Sequence, residues 1–163
     1  MIAEIGAFAA ILALALSLAQ GAVGLAASGR GPRTAAAAAF AQAASVMCFV
    51  AFACLIASFV RSDFSVEVVA NNSHIDKPLI YKIAGAWGNH EGSMLLWCVV
   101  SALFGAVLAS NRGRQDGVTW VRAVGVQGLV TAAALGYTLF LSNPFARLDP
   151  APMIGAGLNP LLQ

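Results

Sequence analysis

The sequence predicts an all-α protein that crosses a membrane with four helices. Of its 163 residues, 60% are hydrophobic and only 10% are charged, whereas a soluble domain carries about 25% charged residues. Continuous apolar runs occupy residues 5–28, 34–60, 92–110 and 118–142, and a helix needs about 20 apolar residues to cross a bilayer. The runs lack the polar–apolar alternation of barrel strands. We therefore expect a single membrane domain over residues 1–163.

Arginines in the two short connections set the expected orientation of the four helices. The first run lacks the basic flank of a cleaved signal peptide, so we expect it to remain as a span. The connections after the first and third runs carry Arg30, Arg33, Arg112 and Arg114. Short, positively charged loops stay in the cytoplasm. The N-terminus, the loop of residues 61–91 and the tail from residue 143 are therefore expected outside.

The outer loop and the tail are expected to have different structures. Phe64, Val66 and Val68 alternate with polar residues, as in a strand. Residues 71–73 form a turn signal, and residues 79–81 are a second extended run. These patterns predict a small β-hairpin on the outer face. The tail is rich in proline and glycine, which predicts an extended segment.

The apolar runs contain few polar side chains. The main ones are Gln20, Gln42, Gln127, Thr131 and Tyr137. We interpret them as partners in hydrogen bonds between helices. No run carries a charge at its centre, and proton or ion pathways usually need one. The pattern argues against an ion-coupled transporter.

The boundary between the loop and the third run is the strongest candidate for a working surface. Two tryptophans, Trp87 and Trp97, flank a polar cluster. Its members are Gly88, Asn89, His90, Glu91, Gly92 and Ser93. Tryptophan favours the membrane–water boundary, and a polar cluster there costs free energy unless it is paired or bound. We interpret the motif of residues 87–97 as a working surface that faces a binding partner at one side of the membrane.

Two members of the motif have several possible roles. His90 is a candidate metal or haem ligand, a candidate proton carrier, or a hydrogen-bonding residue in a packed corner. Glu91 is a candidate partner contact, and it also complements the dipole of a helix that begins there.

Other chemistries find no support in the sequence. His74 and His90 form no metal-binding pattern. Cys48, Cys54 and Cys98 lie in apolar runs without a CxxC pair, so we interpret them as buried thiols. The net charge of +2 comes without a basic patch, and nucleic acid is not expected as a partner. No catalytic residue is assigned.

The motif at residues 87–97 resembles that of the CcmF family, the membrane haem lyase subunit of bacterial cytochrome c maturation. The resemblance continues in order along nearly the whole chain. Its other blocks are Asp63–Val66, Val69–Ser73, Tyr81–Lys82, Ser142–Phe145 and Leu158–Gln163. It implies a multi-pass protein of the bacterial inner membrane, with its N-terminus, long loop and tail in the periplasm.

The resemblance also implies a function and a set of partners. The family receives haem from a periplasmic haem chaperone and attaches it to the CxxCH cysteines of apocytochrome c. Its tryptophan-rich haem-binding domain and its haem-ligating histidines would lie after Gln163. We therefore expect this chain to be the N-terminal part of such a lyase, as a fragment, a truncated product or one piece of a split protein. Haem would be bound by the complete protein, and membrane lipid would surround the helices.

Two alternative functions remain open at this point. One is a paralogous haem lyase that serves nitrite reductase maturation. The other is a structural membrane subunit that scaffolds a complex without binding haem.

Overall fold

Helices dominate the computed structural model of the chain, which describes residues 1–111 and 116–156. In order they are α1 (Ile2–Ala26), α2 (Pro32–Val60), α3 (Glu67–Asn72), α4 (Leu79–Gly85), α5 (His90–Ser110) and α6 (Gly117–Leu141). The four long helices, α1, α2, α5 and α6, are long and apolar enough to cross a membrane. The predicted all-α fold with four membrane helices is confirmed, and each helix end lies within one turn of its predicted position.

The four long helices form a bundle, in which α2 and α6 also contact each other. α1 contacts α2 and α6, and α5 contacts the same two helices from the other side. The α1–α6 contact is especially close, because a Cβ added to Gly24 would lie only 2.7 Å from the Cα of Gly125. Small residues permit this approach of two backbones, which strengthens dispersion contacts where no hydrophobic driving force exists.

Glutamine side chains connect these helices, as the sequence predicted. The Gln20 amide on α1 donates to the carbonyl of Val124 on α6 at 2.8 Å. The Gln127 amide on α6 donates to the carbonyl of Ser101 on α5, also at 2.8 Å. Each bond removes an unpaired polar group from an apolar environment.

One end of the bundle gathers most of the non-helical chain, and we call it the loop end. It contains the start of α1, the end of α2, α3, α4, the start of α5 and residues 142–156. Its core includes Ala3, Phe59, Val66, Leu95 and Phe145. The opposite end, which we call the arginine end, contains the connection from α1 to α2 and the start of α6.

The predicted β-hairpin is wrong. Its first strand, predicted over residues 64–68, becomes a turn that leads into α3, and its second lies in α4. The β-structure seen in residues 1–111 and 116–156 is an isolated bridge between Val66 and Arg147. The alternating pattern failed because this loop is not a half-exposed sheet. Consecutive residues Val68, Val69 and Ala70 are all buried, which a helix packed between the bundle and the tail permits.

The tail over residues 143–156 is not helical, as predicted, but turns and bends interrupt its extended course. It bonds to the loop through the backbone, since the Leu148 N–H donates to the Ser65 carbonyl at 2.9 Å and the Glu67 N–H to the Ala146 carbonyl at 2.8 Å. The predicted roles of Arg112 and Arg114 and the block Leu158–Gln163 lie outside the described residues.

Candidate functional site

Asn89 forms the corner at which α4 turns into α5. Its side-chain oxygen accepts a hydrogen bond from the Gly92 N–H at 2.7 Å, which caps the N-terminus of α5. Its side-chain nitrogen donates to the Gly85 carbonyl at the end of α4, also at 2.7 Å. A single amide side chain therefore bonds to both helix ends.

Gly92 lets the corner close tightly. A Cβ at residue 92 would lie 2.8 Å from the carbonyl carbon of Ala86 and closer still to its oxygen. Ala86 is itself buried, so its backbone has no free space into which to move. The sequence marked Gly92 as part of the motif, and the structure supplies a packing reason for it.

The two tryptophans of the motif are partly open, but in different places. Trp87 is 42% exposed, and its ring packs against Phe52 of α2 with a centroid separation of 6.5 Å. Trp97 is 67% exposed and lies two turns into α5. Gly88 continues the exposed surface beside Trp87. The motif thus presents exposed aromatic area at two places near the loop end.

His90 and Glu91, although adjacent, lie in different surroundings. His90 is exposed as the first residue of α5, and its carbonyl accepts a hydrogen bond from the Ser93 hydroxyl at 2.9 Å. Glu91 lies in the first turn of α5, where its charge complements the helix dipole. Glu91 also borders a cavity of about 210 Å³.

This cavity brings together groups that are distant in sequence. Glu67 of α3 and Glu91 of α5 both line it. The remaining lining residues are Val68, Asn71, Asn72, Leu141, Ser142, Asn143 and Ala146. Local sequence patterns do not predict this grouping, because three separate stretches of the chain contribute to it.

Arg147 holds the tail against the loop end. Its guanidinium donates to the Glu4 carboxylate and to the Ser65 hydroxyl, and it lies 3.6 Å from the Asp63 carboxylate. The Met1 ammonium also pairs with Glu4. Sequence reasoning missed this ion cluster, since its members come from the first turn of α1, the loop and the tail.

Two lysines support the loop between α3 and α4. The Lys77 ammonium donates to the Asn72 carbonyl at 2.8 Å, and partial burial lowers the pKa of Lys77. The Lys82 ammonium donates to the Ser62 hydroxyl at 2.7 Å. The Lys82 bond connects α4 to the end of α2, and the Lys77 bond connects the loop to the end of α3.

Known proteins are similar to this chain in both sequence and fold. The chain is 47% identical to the cytochrome c-type biogenesis protein ccl1 of Rhodobacter capsulatus, over all of this chain and 25% of that protein. It is 40% identical to the cytochrome c-type biogenesis protein CcmF of Pseudomonas aeruginosa, again over all of this chain and 25% of the relative. The chain belongs to the CcmF family.

A solved structure supports the same assignment. Cytochrome c heme lyase CcmF matches with a TM-score of 0.82 and 27% identity, over 89% of this chain and 25% of that one. The chain therefore spans about a quarter of the length of these relatives. No protein-family model matches the chain.

The cavities at the two ends of the bundle are smaller than a typical cofactor pocket. The cavities at the loop end and at the arginine end measure about 210 and 200 Å³, whereas pockets for drug-sized ligands and cofactors measure about 300–1,000 Å³. Two carboxylates, Glu67 and Glu91, line the first cavity and would repel haem propionates. His90 has an exposed side chain. Within residues 1–111 and 116–156, no three His, Cys, Asp or Glu side chains are placed to hold a metal ion.

Proposed function

We propose that the chain is the N-terminal membrane portion of a cytochrome c maturation haem lyase. Its contribution would be to haem delivery and attachment to apocytochrome c at the periplasmic face of the inner membrane. The observation that carries the proposal is identity of 40–47% to cytochrome c-type biogenesis proteins over the whole chain. The relatives are about four times longer, so the remaining part of the lyase would supply the haem ligands.

The orientation follows from the charges at the two ends of the bundle. At the arginine end the described charged residues are Arg30, Arg33, Arg122 and Asp116, which sum to a net positive charge. The loop end carries the other described acidic residues, including Glu67 and Glu91. Positive loops stay in the cytoplasm. The loop end, with both chain ends of residues 1–156, would therefore face the periplasm.

The motif at residues 87–97 would act as a docking surface for the haem chaperone or the haem-binding domain. Trp87 and Trp97 supply exposed aromatic area, of the kind enriched at interfaces between proteins. The corner built by Asn89 and Gly92 is rigid, so little conformational entropy is lost when a partner binds. His90 and Glu91 would orient the partner through hydrogen bonds.

Substitutions in the complete protein test this role. We expect His90→Ala and Glu91→Ala to reduce the yield of covalently attached haem in a co-expressed cytochrome c, measured by haem staining against the amount of lyase in the membrane. His74→Ala and Asp76→Ala are matched controls, because both side chains are polar, lie at the loop end and stand outside the motif. If both motif variants attach as much haem as the parent protein, the motif has only a structural role at the start of α5.

A haem spectrum tests whether this chain or the rest of the lyase binds haem. The chain would be purified with and without the remaining part, and the reduced-minus-oxidised spectrum recorded for each. We expect a b-type band only when the remaining part is present. A band from this chain alone would contradict the proposal and would make His90 the first candidate ligand.

The alternatives are less well supported. The matches over the whole length of the chain are to cytochrome c-type biogenesis proteins, which does not favour a dedicated nitrite reductase paralogue or a scaffold without haem chemistry. A scaffold would predict normal association with partners but no maturation defect in the motif variants.

A further inference from the structure

A second cavity lies at the arginine end of the bundle, about 200 Å³ in volume, at the N-terminus of α2. It is lined by Gly31, Thr34, Ala35, Ala38 and Trp120. The proposed function does not use it, since the docking surface is at the opposite end.

The N-terminus of α2 presents unpaired backbone donors beside this cavity. Gly31 occupies the N-cap position and supplies no side-chain cap. Pro32 has no N–H to donate. The first amide with a backbone acceptor is that of Ala35, which donates to the Gly31 carbonyl at 3.3 Å. The amides of Arg33 and Thr34 precede it, and such first-turn donors carry the positive end of the helix dipole.

Thr34 gives an independent indication of a ligand. It lies in the cavity wall and is only 3% exposed, yet its hydroxyl has no hydrogen-bond partner. An unpaired buried hydroxyl costs free energy, and native proteins rarely leave one without a function. Its position in the first turn places this donor beside the free amides of α2.

The charges around the cavity select an anion. Arg30 and Arg33 are exposed on either side of Gly31. Asp116 is the one acidic residue at this end among the described residues, and its carboxylate already accepts the Thr119 N–H as the N-cap of α6. The Trp120 indole donates to the Leu108 carbonyl at 2.9 Å, so it serves as an apolar wall.

We propose that this cavity binds a phosphate group, held by the first-turn amides of α2, the Thr34 hydroxyl and the flanking arginines. Helix N-termini with free amides are common phosphate sites, and arginine is well suited to phosphate oxygens. Because the cavity lies at the end of a membrane span, the phosphate can belong to an anionic lipid headgroup or to a free phosphate ion.

Ligand-dependent unfolding of the full-length protein in a neutral detergent distinguishes these sources. The probes are phosphatidylglycerol, a galactolipid without phosphate, and inorganic phosphate against chloride at equal ionic strength. A rise in unfolding temperature with phosphatidylglycerol alone identifies the lipid headgroup. A rise with both phosphate compounds identifies the phosphate group itself. The proposal is overturned if neither phosphatidylglycerol nor inorganic phosphate raises the unfolding temperature, or if the galactolipid raises it as much as phosphatidylglycerol does.

Variants of Thr34 assign the effect to this cavity. Thr34→Val keeps the side-chain shape and removes the hydroxyl, so we expect it to weaken the apparent affinity about tenfold, which is what one hydrogen bond to a charged group contributes. Thr34→Ser should retain the affinity. Arg122→Gln removes an exposed arginine of α6 at the same end, outside the cavity lining, and should change little. Equal affinity in Thr34→Val and the parent would contradict the site.

Folding does not confound this comparison. Replacing an unpaired buried hydroxyl by a methyl group is neutral or stabilising when nothing binds there. The unfolding temperature of Thr34→Val without added ligand should therefore equal or exceed that of the delipidated parent protein.

Discussion

Gly92→Ala is the sharpest test of the corner between α4 and α5. The added Cβ would lie 2.8 Å from the carbonyl carbon of Ala86, whereas non-bonded carbons settle about 3.5–4.0 Å apart. The backbone near Ala86 must therefore move by about 1 Å, and overpacking of this kind costs about 1–3 kcal/mol. Alanine offsets up to about 1 kcal/mol through its higher helix propensity. We expect a net loss of about 1–2 kcal/mol.

Gly136→Ala is the matched control. It makes the same chemical change within a membrane helix, but a Cβ at residue 136 meets no atom within 4 Å. Only the helix-propensity gain remains, up to about 1 kcal/mol. The measurement is reversible unfolding of each variant by denaturing detergent in mixed micelles. If both substitutions shift the unfolding free energy in the same direction, the close contact of Gly92 does not determine the packing of the corner.

Three further predictions concern single contacts. Asn89→Ala should destabilise the protein by about 1–2 kcal/mol, and Asn89→Ser should recover much of this because serine also caps helices; both are measured by the same unfolding assay, and equal losses would contradict the cap. Gln127→Leu should cost about 0.6 kcal/mol through the lost bond between α5 and α6, and a leucine variant as stable as the parent would show that this bond does not contribute. Arg147→Gln should release the tail from the loop and speed limited proteolysis within residues 149–156; an unchanged cleavage pattern would show that the backbone bonds to Ser65 and Glu67 hold the tail without the ion cluster.

The four membrane helices were predictable because each depends on local composition. A run of about 20 apolar residues has few stable conformations in lipid other than a helix, since its backbone groups must be paired within the segment. The start of α5 could also be predicted from the sequence, because Asn89 and Glu91 are typical of a helix N-terminus. The same local signals placed the tryptophan motif at the end of a span.

The loop was mispredicted because its environment is not local. Phe64, Val66 and Val68 carry the alternation of a strand, but the tail and the ends of α1 and α2 surround them. With apolar contacts on several sides, a short helix buries consecutive residues as well as a strand does. Tertiary context therefore overrode the strand pattern.

The candidate sites were likewise predictable only where they depend on local sequence. The sequence identified residues 87–97 as a motif, but it did not reveal that Glu91 shares a cavity with Glu67. Nor did it single out Thr34, whose unpaired hydroxyl is evident only when the neighbouring helices are in place.

The sequence by itself determined the membrane class, the number and limits of the spans and the family resemblance, because these follow from local composition and from ordered motifs. Only the tertiary structure decided the ion cluster of Arg147 with Glu4 and Asp63, the close approach of Gly92 to Ala86, and the two cavities. Each of these joins residues from separate segments. Their distances depend on how the helices pack, and helix packing in a membrane is set by shape and small-residue contacts that no single segment contains.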